Sequence, residues 1–133
     1  MTVFLSGGCK NGKSTLAEQI AVYLSRPGRL YYLATMIPHD DEDRARIARH
    51  VASRSGLGFQ TIECGLSLQA ALRDADAEGS YLLDSVTALL YGDLTEEYRR
   101  GLAHIDRALA AACDTVAEIS FGGCIVYKGE LPV

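Results

Sequence analysis

Apolar residues fall into two rhythms along this 133-residue chain. Short unbroken runs, Val3 to Ser6, Leu30 to Thr35 and Tyr81 to Ser85, read as buried strands, with Thr61 to Glu63 as a shorter one. Between them, apolar positions recur every three or four residues. Leu16, Ile20 and Leu24 make a stripe on a helix over Ser14 to Ser25, and Arg26-Pro27-Gly28 stops it. A second helix begins in the acidic stretch Asp40 to Asp43 and runs to about Ser53. Ser67 to Ala77 is expected to be helical. Glu96 to Cys113 carries Leu102, Ile105 and Leu109 on one stripe. Thr115 to Phe121 and Cys124 to Lys128 then form a hairpin around Gly122-Gly123, a turn that suits glycine.

Strands that alternate with helices predict an α/β class with a mostly parallel sheet flanked by helices. The C-terminal hairpin adds an antiparallel pair at one edge. The length allows one core, so residues 1–133 are read as a single domain. A net charge of −4 argues against non-specific nucleic-acid binding, which needs a basic surface. The apolar run Val3-Phe4-Leu5 is too short for a signal peptide or a membrane span. None of the cysteines, Cys9, Cys64, Cys113 and Cys124, forms a C-x-x-C pair, so reduced thiols and a cytoplasmic setting are expected.

The first strand runs into Gly7-Gly8-Cys9-Lys10-Asn11-Gly12-Lys13-Ser14, which satisfies G-x-x-x-x-G-K-[ST]. Glycines let the backbone curl until successive N–H groups face inward as an anion cradle. The helix that follows presents its partially positive end to the same place. Lys13 then reaches the β- and γ-phosphates, and the Ser14 hydroxyl is placed for Mg2+. The context, an apolar strand before and an amphipathic helix after, is what a P-loop NTPase-like fold requires. The loop is therefore assigned to a nucleoside triphosphate, GTP or ATP, with Mg2+. Tyr81-Leu82-Leu83-Asp84 is an apolar run ending in a carboxylate, and an acid at a strand end can hold Mg2+ directly or through water. A turn aspartate would look the same. The two-part site favours the metal.

Arg44-Ala45-Arg46-Ile47-Ala48-Arg49-His50-Val51-Ala52-Ser53-Arg54 follows the acidic stretch. Arg46, His50 and Arg54 are four residues apart and share a helix face. Neutral imidazole is a nucleophile and arginines bind phosphate oxygens. From this pattern alone a solvated charged helix with an incidental histidine is the preferred reading. His39 and His104 read as surface residues.

Taken in order, these pieces resemble the bifunctional adenosylcobinamide kinase/adenosylcobinamide-phosphate guanylyltransferase family of cobalamin biosynthesis. The resemblance rests on Gly7-Gly8 through Lys13-Ser14, Tyr32-Leu33-Ala34-Thr35-Met36, and the run from Asp43 to His50. It continues through Thr61-Ile62-Glu63, Leu82-Leu83-Asp84-Ser85-Val86-Thr87, and Ala112 to Val116 with Tyr127-Lys128-Gly129. It implies that His50 attacks the α-phosphate of GTP, forming a guanylyl-histidine that passes GMP to the phosphorylated corrinoid. A kinase step first phosphorylates the corrinoid's aminopropanol arm. His50 and Lys13 then become the catalytic residues, reversing the bland reading of His50. The resemblance further implies nucleotide contacts at Ala34, Thr35, Met36, Val51, Ala52, Ser53, Arg54, Glu63 and Asp84, beside those of Gly7, Gly8, Cys9, Lys10, Asn11, Gly12, Lys13 and Ser14. Ser14 and Asp84 serve Mg2+. It suggests a corrinoid partner and a homo-oligomer, with a trimer as the expected assembly. The family pattern has more residues, including another strand, where Leu90-Tyr91-Gly92-Asp93-Leu94 leads into the last long helix, so the chain looks internally shortened. A simple small-molecule kinase with an idle His50, or a non-catalytic nucleotide-binding remnant, remain the alternatives.

Overall fold

The computed structural model describes residues 1–8, 11–64, 67–89, 96–120 and 123–133, with side chains at all of these except 88 and 89. Its elements run β1 (Val3–Gly7), α1 (Lys13–Leu24), β2 (Leu30–Ala34), α2 (Asp41–Ser53), β3 (Gln60–Glu63), α3 (Leu68–Ala71), β4 (Ser80–Asp84), α4 (Val86–Leu89), α5 (Glu96–Ala112), β5 (Thr115–Ser120) and β6 (Gly123–Lys128). The predicted alternation is therefore present. The chain forms two compact units, Met1–Ile20 with Gly92–Val133, and Ala21–Tyr91. Each holds a three-stranded sheet.

In the first unit the order is β1-β5-β6. β1 runs parallel to β5, from Val3 opposite Thr115 to Gly7 opposite Ile119. β6 returns antiparallel along β5, as the hairpin pattern predicts. Ile20, Cys113, Ala117 and Ile119 are buried, while every residue of β6 is exposed. The Lys128 ammonium donates to the carbonyls of Ala110 (3.4 Å) and Ala111 (2.9 Å), a cation placed on the orphan carbonyls at the end of α5. Hence the exposed edge strand is fastened to the helix before it.

The start of β1 is pinned by Asp114, whose carboxylate accepts the Thr2 backbone N–H at 2.7 Å and the Thr2 hydroxyl at 3.1 Å. These two hydrogen bonds, the backbone one first, hold the Asp114 carboxyl below its ordinary value. A carboxyl lowered on folding stabilises the fold above its unfolded pKa and loses that contribution as pH falls through the folded one. Asp114→Asn is thus expected to melt below the wild type by a steady margin at neutral pH. That margin should close as the pH drops below about 4, where the unfolded carboxyl protonates. A margin independent of pH in thermal melts would show that ionisation of Asp114 is irrelevant.

In the second unit the order is β3-β2-β4, all parallel. Leu30, Tyr32, Leu33 and Cys64 form its buried centre. Burial raises the Cys64 thiol above its ordinary value, and no disulfide joins Cys64, Cys113 and Cys124. α2 starts where its acids predict. Asp40 is the N-cap, its side chain accepting the Asp43 N–H at 2.7 Å, and Asp41, Glu42 and Asp43 fill the first turn.

One expectation is corrected. The helix expected over residues 67–77 is one turn, Leu68–Ala71, capped by the Ser67 hydroxyl. Beyond Leu72 the stretch Arg73-Asp74-Ala75-Asp76-Ala77 offers no further apolar repeat, and Asp76 turns its carboxylate onto the Glu78 N–H. The strands pair as two three-stranded groups, mostly parallel and closed by the antiparallel β5-β6 hairpin as expected. Among the described residues β1 pairs only with β5, and β4 only with β2. Residues 90–95, where the shortening is read, lie outside the described residues.

Candidate nucleotide site

The glycine loop joins β1 to α1, and long-range packing shapes it. Gly7 sits at φ +149°, and a Cβ there would lie 2.5 Å from the Ile119 carbonyl oxygen and 2.6 Å from the Asn11 amide nitrogen. Only glycine permits this approach to β5. The Asn11 Nδ2 donates to that same Ile119 carbonyl at 2.8 Å, while its Oδ1 accepts the Lys13 N–H at 3.2 Å. Gly12, at φ +84°, opens the helix by accepting the Leu16 N–H at 3.0 Å. No acid occupies the first turn of α1, so its positive end is not neutralised locally. Lys13 Nζ donates one of its three protons to the Gly7 carbonyl at 2.9 Å, spanning the loop. Ser14 is half-buried and Gly8 exposed. Cys9 and Lys10 lie outside the described residues.

The second unit brings Ala34, Glu63 and Asp84 together at one end of its sheet. Register sets Glu63 and Asp84 on either side of Ala34, so these residues end three adjacent parallel strands. The carboxyl ends of parallel strands are where α/β sheets bind ligands. Thr35 and Met36 follow directly after the end of β2. Thr35 is 1% exposed, and its hydroxyl accepts the Ser85 N–H at 2.8 Å and lies 2.9 Å from the carbonyls of Asp84 and Ser85. Its side chain therefore fastens β2 to the end of β4, leaving any nucleotide contact to its backbone.

The Asp84 carboxylate Oδ2 accepts the Tyr32 hydroxyl at 2.7 Å. Arg54 lies 3.6 Å above the centre of the Tyr32 ring, and Phe59 meets that ring edge-on at 6.1 Å. One Arg54 nitrogen also donates to the Thr61 hydroxyl at 3.2 Å. Arg54 is 6% exposed, whereas Arg46 and Arg49 are exposed. Arg54, the C-cap of α2, falls on the same inward stripe as Asp43, Ile47 and His50, which are half-buried, so helical spacing keeps it on the side of His50 while Arg46 stays exposed. His50 is half-buried, and its carbonyl accepts the Ser53 hydroxyl at 3.0 Å and the Arg54 N–H at 3.3 Å. Val51, Ala52 and Ser53 are exposed.

Sequence reasoning missed Tyr32 as a partner of Asp84 and Asn11 as a tie to β5. These partners lie 52 and 108 residues apart, so no local signal reveals either pairing. Among the described residues no group of three or more His, Cys, Asp or Glu side chains converges, and no helix is long and apolar enough to cross a membrane. Magnesium does not need such a cluster. It is held by one or two protein oxygens together with substrate phosphates and water, and a serine hydroxyl and an aspartate oxygen are donors of that kind.

A strand, a glycine-rich stretch and a helix in that order, in a mostly parallel α/β arrangement, define a fold of the P-loop type. The family model for cobinamide kinase / cobinamide phosphate guanyltransferase (CobU) matches residues 3–126, and the chain belongs to that family. It is also 37% identical over 91 residues to the bifunctional adenosylcobalamin biosynthesis protein CobP of Pseudomonas aeruginosa. That match covers 68% of this chain and 51% of the relative, so the chain spans about half the length of the curated relative it matches.

Proposed function

We propose that this chain binds GTP or ATP with Mg2+ and carries out the two reactions that its family is named for. The observation that supports this reading best is the built loop, in which Gly7, Asn11 and Lys13 are locked to one another and to β5. Its N–H groups and Lys13 bind the phosphates, and Ser14 and Asp84 supply oxygens to Mg2+. The ion neutralises charge that develops on the transferred group. In the kinase step the hydroxyl of the corrinoid's aminopropanol arm attacks the γ-phosphorus, and the nucleoside diphosphate leaves.

In the second step a ring nitrogen of His50 attacks the α-phosphorus of GTP. A P–N bond forms, the bond to the bridging oxygen breaks, and pyrophosphate leaves with the electron pair. An oxygen of the phosphorylated corrinoid then attacks the same phosphorus, and imidazole leaves. The exposed Val51 to Ser53 and the exposed Glu63 offer surface for the nucleotide around these positions. The protein works in the cytoplasm as a homo-oligomer, with a trimer as the expected form.

Incubation with adenosylcobinamide, GTP and Mg2+, followed by chromatography of the corrinoids, tests both steps. The phosphorylated and then the GDP-capped corrinoid are expected, with transfer to the corrinoid slower than in a full-length relative. The loop and the region up to Arg54 precede the shortened stretch, so nucleotide chemistry should suffer less than acceptor binding. Unmodified corrinoid after prolonged incubation would remove both activities. Transfer as fast as the relative's would show the shortening to be harmless.

A further inference from the structure

We propose that Tyr32 is a positioning residue that aims the Asp84 carboxylate at Mg2+, an inference that rests on the reading of Asp84 as a magnesium ligand. The register explains the contact. Tyr32 lies opposite Leu82 and Ala34 opposite Asp84, so Tyr32 and Asp84 are a diagonal pair on one face of adjacent strands. That step is within reach of an aromatic side chain. The hydroxyl meets Oδ2 at 2.7 Å, the length of a strong hydrogen bond to a charged acceptor. Fixing one oxygen sets the plane of the carboxylate and directs Oδ1. Orientation matters here because Mg2+ demands near-ideal octahedral geometry at about 2.1 Å.

Tyr32 is itself held. It is 6% exposed, with Arg54 on its face and Phe59 at its edge. The cation over the ring draws on its electron density, which strengthens the phenol as a donor. Meanwhile Thr35 holds the Asp84 backbone through its carbonyl. Tyr32 on β2 and Thr35 just after it thus fix the side chain and the main chain of the acid on β4. Arg54 also caps the helix that carries His50, so the same ring seats the end of α2.

The test uses Tyr32→Phe, which removes the hydroxyl and keeps the ring for Arg54 and Phe59. GTP affinity is measured by calorimetry on the full chain in EDTA and again with Mg2+. The variant is expected to bind GTP in EDTA like the wild type, while the gain in affinity supplied by Mg2+ falls about tenfold, the usual effect of losing a group that orients a metal ligand. Asp84→Glu keeps the charge but moves it off the hydroxyl, and the same loss is expected. In an Asp84→Asn background, Tyr32→Phe should change nothing further, because it acts through that carboxylate. A lowered melting temperature with the full Mg2+ gain intact would mean that the bond is only structural and would overturn the proposal. Should Asp84→Asn alone keep the full gain, Asp84 is no magnesium ligand and the positioning role falls with it.

Discussion

Lys13→Ala is expected to abolish both the phosphorylation and the guanylylation reactions. The Lys13 ammonium is the charge that this loop supplies to the β- and γ-phosphates in the proposed site. It also spans the loop to the Gly7 carbonyl, so its removal takes away a phosphate ligand and a loop constraint together. Loss of a preorganised donor to a charged transition state slows turnover by about 100-fold or more. Here both reactions use the same triphosphate, so both should fall together, and GTP affinity by calorimetry should weaken as well. Unchanged affinity and turnover would remove the loop from the mechanism.

His50→Ala is expected to divide the two activities. The guanylyl transfer needs the imidazole as a nucleophile and should disappear. Phosphorylation of the corrinoid should continue, because γ-phosphoryl transfer depends on positioning and Mg2+ rather than on a covalent histidine. Paired assays of phosphorylated and GDP-capped corrinoid check this. Equal loss of both would give His50 a structural role or a place in nucleotide binding. That outcome is a real test, since His50 sits one turn before Arg54, whose guanidinium seats the end of α2.

What the sequence makes legible here is local. The loop, the strand before it and the acidic start of α2 each obey rules that operate within a few residues, and each is where the pattern places it. The row of Ala34, Glu63 and Asp84 depends on register between strands, yet it follows once each strand end is read correctly. The ties that stiffen the site were not legible. Asn11 reaches β5, Thr35 reaches the end of β4, and Tyr32 reaches Asp84, all across long sequence separations. Helical spacing places Arg54 one turn beyond His50, but its seat on the Tyr32 ring depends on a strand 22 residues earlier and carries no local signal. The helix expected over 67–77 shrinks to Leu68–Ala71 because propensity without a second packed apolar turn does not sustain a helix.

If a histidine of this chain carries GMP covalently, the intact mass of the protein after incubation with GTP and Mg2+ reveals it. One added GMP per chain is expected, absent from His50→Ala and released by acid, as a P–N bond is. A protein whose mass is unchanged by GTP, or an adduct that survives both acid and the loss of His50, would contradict that expectation.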